Sequence, residues 1–163
     1  MKIDTPLFKK ALSSLPKKIS RQFSAGTAEF IAWLREHRVP EPVVEHFSAF
    51  SVTGEAEVEV GFAKFWTEHL IRTFHDETPE YFAAGWLIFG AMPNGDFVVL
   101  DVGGGTGAVS YVSHEEIWDE PDHVRDDLNS ITIRICDSIG HFADGLLVDR
   151  YPYDYFEARE QQS

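Results

Sequence analysis

Three short apolar segments separated by turn residues constrain the fold of this chain most strongly. They span residues 86–91, 97–102 and 108–112, and they are separated by Asn94-Gly95 and by the glycine-rich run 103–107. Apolar segments of this length suit buried strands, and Asn-Gly favours a tight hairpin turn. The sequence therefore predicts a three-stranded antiparallel meander at the centre of the fold.

Helical patterns precede this meander. Thr27 is suited to cap a helix that runs to Arg38, and Pro40 favours the start of another helix that runs to Phe50. Segment 62–74 places apolar residues at helical spacing and is interpreted as a helix, although residues with high strand propensity are frequent in it.

The alternating segment 55–60 predicts an outer strand. Its charged face is expected to protect the sheet edge from pairing with another chain. We expect one face of this strand to point toward water and the other toward a core. The water face holds Glu55, Glu57 and Glu59, and the core face holds Ala56, Val58 and Val60.

Two further segments follow the meander. Residues 115–127 are charged and contain a proline, so they predict an exposed loop. Residues 131–147 place apolar side chains at helical spacing and predict a closing helix over the sheet, although 131–133 suits a strand and Gly140 weakens a helix.

The length of 163 residues fits one domain, and 13 Phe, 5 Tyr and 4 Trp supply a large core. We predict the α+β class: a single domain with a mainly antiparallel, curved sheet on which N-terminal helices and a C-terminal helix pack. Residues 1–24 are interpreted as a basic helical arm, 25–156 as the α+β domain, and 157–163 as a frayed tail.

The net charge of -13 is unevenly distributed. Residues 1–24 hold six Lys or Arg and one Asp, so the remaining chain is more acidic than the average. A charge of this sign repels phosphate backbones and anionic lipids, which argues against nucleic acid and membranes as partners.

The single cysteine, Cys136, excludes an intrachain disulfide and a cysteine-based metal cage. It has no histidine at the spacing of a catalytic pair, and a buried, apolar role is expected. The sequence also has no apolar run long enough for a signal peptide or a membrane span. These features predict a cytoplasmic protein.

The order of motifs in the second half resembles the SUKH superfamily, which includes yeast cell-wall assembly regulators and bacterial immunity proteins. The late helix Ile139–Leu147 and the segment around Val39-Pro40 add to a resemblance that covers roughly residues 39–148. The central motifs are Gly85-Trp-Leu-Ile-Phe-Gly90, Asn94-Gly-Asp96, Phe97-Val-Val-Leu-Asp101, Gly107-Ala-Val-Ser-Tyr111 and His114-Glu-Glu116.

This resemblance implies a curved, mainly antiparallel sheet with helices on one side. It also implies a binding role, commonly the neutralisation of a toxin by direct contact.

Three possible sites of chemistry are interpreted as structural. Glycine-rich loops can bind phosphate, but Gly103–Gly107 leads into a strand-like segment without the Lys of a P-loop, so a hairpin without a cofactor is expected. Six residues are assigned to structural turns: Asn94, Gly95, Asp96, Asp101, Gly103 and Gly107. We expect the side chains of Asp96 and Asp101 to accept backbone hydrogen bonds in these turns rather than to form a carboxylate pair for acid/base catalysis. The acidic run after His114 lacks metal-ligand spacing and predicts a solvated loop without metal.

No catalytic, cofactor-binding or metal-binding residues are therefore assigned. Five histidines are interpreted as residues of helix surfaces or boundaries: His37, His46, His69, His75 and His141.

An acidic surface can speed the encounter with a basic partner, as when an inhibitor binds a nuclease toxin, although many proteins are acidic for solubility alone. The first hypothesis is thus a non-catalytic immunity protein that binds a basic toxin domain. The alternatives are an intracellular scaffold or regulator with an endogenous protein partner, and an enzyme or nucleotide sensor that uses the glycine loop. The expected partner-binding residues are Glu55, Glu57, Glu59, Glu115, Glu116, Asp119, Glu120 and Asp122.

Overall fold

The computed structural model describes residues 1–120, 123–124 and 128–162, with side chains for 1–117 and 130–162. The helices are α1 (Thr5–Ser13), α2 (Lys17–Ser20), α3 (Ala28–Glu36), α4 (Glu41–Ala49), α5 (Glu68–Glu77), α6 (Glu80–Ala83), α7 (Ile139–Leu147) and α8 (Tyr155–Gln162). The strands are β1 (Phe23–Ser24), β2 (Ser51–Val52), β3 (Val58–Val60), β4 (Ala63–Phe65), β5 (Trp86–Ala91), β6 (Phe97–Asp101), β7 (Val109–Val112), β8 (Trp118–Glu120), β9 (His123–Val124) and β10 (Thr132–Cys136).

The predicted α+β class is confirmed. A six-stranded antiparallel sheet has the order β10-β7-β6-β5-β4-β3, and β5, β6 and β7 form the predicted meander at its centre. Strand β3 lies at one edge, as the alternation of residues 55–60 predicts, with Val58 and Val60 buried and the three glutamates exposed. Ala56 is exposed because β3 begins only at Val58, so the prediction that Ala56 faces the core is wrong.

Helices cover both faces of the sheet. Consecutive strand residues point to opposite faces, and Phe97 packs against α5 through Phe74 (ring centroids 5.2 Å apart). On the other face, Tyr111, the partner of Val98, packs against Phe142 of α7 (6.4 Å). This arrangement differs from the resemblance, which implies helices on one side, because α5 and α6 bring aromatic side chains to the second face.

The basic N-terminal segment packs on the body. Phe8 of α1 is buried and contacts Phe65 of β4, and the amide of Gly140 in α7 donates a hydrogen bond to the carbonyl of Ile3 (3.0 Å). A Cβ at residue 140 would lie 2.1 Å from the carbonyl oxygen of Asp4. Glycine in α7 therefore allows the close approach of α1, which offsets its low helix propensity.

Two predicted helices begin later than the sequence pattern indicates. The 62–74 helix is wrong in its first part, because Ala63–Phe65 pairs with β3 and α5 starts only after Thr67, whose hydroxyl accepts the amide of Leu70. The 131–147 helix is wrong over Thr132–Cys136, which pairs with β7, and α7 starts after the cap Ser138. In both cases β-pairing overrides local helical spacing: β4 pairs with β3 across a short turn and also with β5, and β10 pairs with the distant β7.

Two segments that were predicted to lack regular structure contain elements. Strands β8 and β9, which pair antiparallel, lie within the predicted loop 115–127. Helix α8 occupies residues that were predicted to fray from 157, because Ala158 is buried and Arg159 pairs with Glu116.

Two histidines that were interpreted as helix-surface residues are buried. His46 of α4 faces α1, where its Nδ1 forms a hydrogen bond with the hydroxyl of Thr5 (2.9 Å). The Nε2 of His75 in α5 accepts a hydrogen bond from the amide of Ile88 (2.9 Å). The second ring nitrogen of each histidine is buried and has no hydrogen-bond partner among the described residues. Burial lowers the pKa of His46 to about 3 and that of His75 to about 4.

We expect stability to fall as the pH drops below the ordinary histidine pKa of about 6.5, because the unfolded chain then binds protons that the folded chain excludes. Each histidine contributes a slope of about 1.4 kcal/mol per pH unit until its lowered pKa is reached. Urea unfolding at pH 7 and pH 5 measures this difference in free energy.

His46→Leu should reduce the difference by about half, because it removes one of the two histidines whose pKa burial lowers and puts an apolar side chain in the site. His69→Gln changes an exposed histidine and is the control that should keep the full pH dependence. Equal pH dependence in the wild type and H46L would contradict the claim that buried His46 contributes to the pH dependence of stability.

Candidate protein-binding surface

The predicted acidic edge is exposed. Glu55 and Glu57 precede β3 and Glu59 lies on it, and all three side chains reach solvent. None of the three forms a side-chain hydrogen bond or ion pair with any residue that the structure describes. Their charges are therefore available to a partner.

The second predicted acidic group contributes less among the described residues. Glu115 is exposed, with 68% of its side-chain surface accessible, whereas Glu116 is half-buried and pairs with Arg159 of α8 (Nη2 to Oε2, 2.5 Å). Glu116 thus helps to hold α8 in place. Asp122 and the side chains of Asp119 and Glu120 lie outside the described part of the chain.

The turn between β5 and β6 contains a buried carboxylate with long-range partners. Asn94, Gly95 and Asp96 form the turn as predicted, and Gly95 has a φ of 95°. The side chain that bonds the turn backbone is that of Asn94, whose Oδ1 accepts the Asp96 amide (3.0 Å), and not that of Asp96 as predicted. The Asp96 carboxylate instead accepts the amide and Nδ1 of His114 (3.2 and 2.8 Å) and the amide of Tyr155 (3.0 Å). Asn94 Nδ2 donates a fourth hydrogen bond (2.8 Å).

Burial alone would raise the pKa of Asp96, but the hydrogen bonds from Asn94, His114 and Tyr155 outweigh burial and lower it. The carboxylate therefore stays charged in the core and joins the β5–β6 turn, the end of β7 and the start of α8. Sequence reasoning predicted only the local turn, because nothing in the sequence places His114 and Tyr155 next to it.

The glycine-rich loop is a hairpin connection, as predicted. It joins β6 to β7, and Asp101 at its start accepts the amide of Gly104 (2.8 Å) and the hydroxyl of Thr106. Gly107 has a φ of 73° and approaches the backbone of Lys2. The Asp101 carboxylate already bonds the loop amide and hydroxyl, so an incoming phosphate would meet a negative charge.

A cleft of about 490 Å³ lies on the β10 side of the sheet, lined in part by Trp86, Asp101 and Arg134. The guanidinium of Arg134 is bound by Asp137 (2.6 Å) and faces a cleft that also carries a carboxylate. This pairing does not favour an anionic ligand.

Cys136 is half-buried, and burial raises the pKa of its thiol to about 11. At neutral pH the thiol is protonated and unreactive. Among the residues that the structure describes, no group of three or more His, Cys, Asp or Glu is placed to hold a metal ion.

An exposed aromatic pair was missed by sequence reasoning. Phe62, at the β3–β4 turn, and Tyr153, between α7 and α8, contact each other edge to face, with ring centroids 4.6 Å apart. They are 39% and 40% exposed. The sequence carries no signal for this pair because the two residues lie far apart in the chain.

No model of a known protein family matches this chain, and no curated protein is similar to it at a significant level. Within the described residues, no helix is both long enough and apolar enough to cross a membrane.

We expect Asp96→Asn to lower the free energy of unfolding by about 2–4 kcal/mol, because the amide cannot accept all four buried donors. Asp101→Asn is the matched control, since Asp101 is half-exposed and its bonds are local; a loss of about 1 kcal/mol is expected. Urea unfolding at pH 7 measures both variants, and equal losses would contradict the long-range role of Asp96.

Proposed function

We propose that this chain is a non-catalytic, cytoplasmic immunity protein of the SUKH type that neutralises a basic toxin domain by direct, stoichiometric contact. The observation that carries the proposal is the row of exposed carboxylates Glu55, Glu57 and Glu59 at an edge strand, which pair with none of the residues that the structure describes. The motif order that resembles the SUKH superfamily adds to this support.

Unpaired carboxylates at an edge favour encounter with a cationic protein. Like charges placed close together repel one another, and a positive partner relieves this repulsion while its approach is accelerated. The interaction is most effective at low ionic strength, since the screening length is about 10 Å at 0.1 M salt.

The edge strand also limits the kind of contact. Glu59 on β3, together with Glu55 and Glu57 just before it, disfavours simple strand addition by a neutral peptide. A folded, basic toxin surface fits this edge better than an extended apolar segment.

The first experiment uses the purified chain as bait in an extract of the native host, at low and at moderate salt, with mass identification of bound proteins. A basic partner at near one-to-one ratio, whose toxic activity stops when the chain is added, is the expected result. Recovery of a housekeeping protein, or binding without inhibition, would replace immunity by the scaffold or regulatory function; recovery of nothing would count against both.

Replacing the three glutamates by lysine (E55K/E57K/E59K) should slow association with that partner about tenfold or more at low salt, because the local field changes sign. The matched control is E29K/E36K/E45K, which changes the net charge equally on the exposed surfaces of α3 and α4. Stopped-flow association measures both, and equal slowing would show that net charge, not this edge, steers the partner.

A further inference from the structure

The exposed large apolar side chains of the described residues are concentrated near one end of α7 and α8. Besides Met1, they are Phe62, Val148, Tyr153 and Phe156. Exposed aromatic residues next to clefts are typical of protein-binding surfaces, where they bury large areas at low cost in side-chain entropy.

The Phe62–Tyr153 pair lines two neighbouring clefts. One, of about 380 Å³, is lined also by Tyr151, Asp149 and Glu157. The other, of about 310 Å³, contains Glu59 of the acidic edge. The aromatic pair is therefore continuous with the charged edge on which the proposed function depends.

Close packing and hydrogen bonds constrain the backbone that carries the aromatic pair. Gly61, with a φ of 58°, is the first residue of the two-residue β3–β4 turn, and a Cβ there would lie 2.8 Å from the carbonyl oxygen of Leu146. The amide of Tyr153 donates to Glu157 Oε2 (2.8 Å), and the hydroxyl of Tyr151 donates to the carbonyl of His141 (2.7 Å). A partner would therefore meet a preorganised surface.

Asp149 has the left-handed conformation (φ 53°) that a glycine adopts more easily at the end of a helix. Its carboxylate lines the first cleft together with that of Glu157, while Arg150 supplies one positive charge. The charged residues lining this cleft therefore carry a net negative charge beside three aromatic rings.

Carboxylates next to aromatic faces fit a guanidinium group. The planar cation stacks on the rings and bonds the carboxylate in the same site, and arginine is enriched among the residues that dominate binding energies. An apolar side chain would partly desolvate the carboxylates of Asp149 and Glu157 without supplying a cation to either of them, which is unfavourable.

We propose that the surface formed by Phe62, Tyr153, Asp149 and Glu157 binds an arginine side chain of a basic protein partner. This inference rests on the proposed function for the identity of the partner, but the recognition of arginine can be tested without it.

The probe is N-acetyl-arginine methylamide, titrated at millimolar concentration into the isotopically labelled full chain and followed by NMR. The expected result is a set of saturable shifts at Gly61, Phe62 and Tyr153. The neutral analogue N-acetyl-citrulline methylamide should produce much smaller shifts at the same concentration. Equal shifts with both compounds, or shifts confined to other acidic residues, would overturn the proposal.

Two variants test the surface itself. F62A/Y153A should abolish saturation by the arginine probe, whereas F156A, which removes a ring of similar exposure (42%), should leave it unchanged. D149G should fold at least as stably as the wild type, because glycine prefers the left-handed conformation of residue 149. It should lower the affinity for the arginine probe about threefold, because one carboxylate is lost. Unchanged probe affinity in both F62A/Y153A and D149G would overturn the proposal.

The captured partner gives a separate measurement. F62A/Y153A should speed its dissociation at least about tenfold, as expected for the loss of a central contact, and F156A should not. A partner that is captured and inhibited but is insensitive to F62A/Y153A would disprove this surface and leave the proposed function intact. Specific arginine binding without an inhibited partner would instead disprove immunity alone.

Discussion

The C-terminal half of the structure depends on the hydrogen bonds that the buried carboxylate of Asp96 accepts. This carboxylate accepts hydrogen bonds from the β5–β6 turn, from the residue His114 that follows β7 and from the first residue of α8, and so joins three segments at one group. A charged group in this position is stable only when all of its donors are in place, so the three segments must be correctly positioned together. Because Tyr153 lies just before α8, the same bond also places the exposed aromatic pair.

The central part of the fold could be predicted from local pattern. The apolar segments and the Asn94-Gly95 turn specify the meander, and the cap at Thr27 specifies the start of α3, since each depends on neighbouring residues only. Strands β4 and β10 were not assigned in this way: their residues have helical spacing as well as strand propensity, and the choice between the two depends on pairing with β5 and with β7, which lie far along the chain.

The candidate surface was also predictable only where it depends on local sequence pattern. Alternation along 55–60 predicts which glutamates reach water, and the structure bears this out. The contact between Phe62 and Tyr153 depends on how α7 and α8 lie against the β3–β4 turn, which no short stretch of sequence encodes. In the same way, the burial of His46 follows from the docking of α1 and is not visible in the pattern of α4 alone.

The bond between the amide of Gly140 and the carbonyl of Ile3 has a consequence for biosynthesis. Chains are made from the N-terminus, so α1 emerges early but cannot reach its place until α7 has been synthesised. During that interval the face of α1 that packs on α7 has no partner, whereas Phe8 can already contact Phe23 and His46, which precede α7 in the chain. Helix α1 therefore gains its contacts with α7 long after its own synthesis, which links the order of synthesis to a folding step of high contact order.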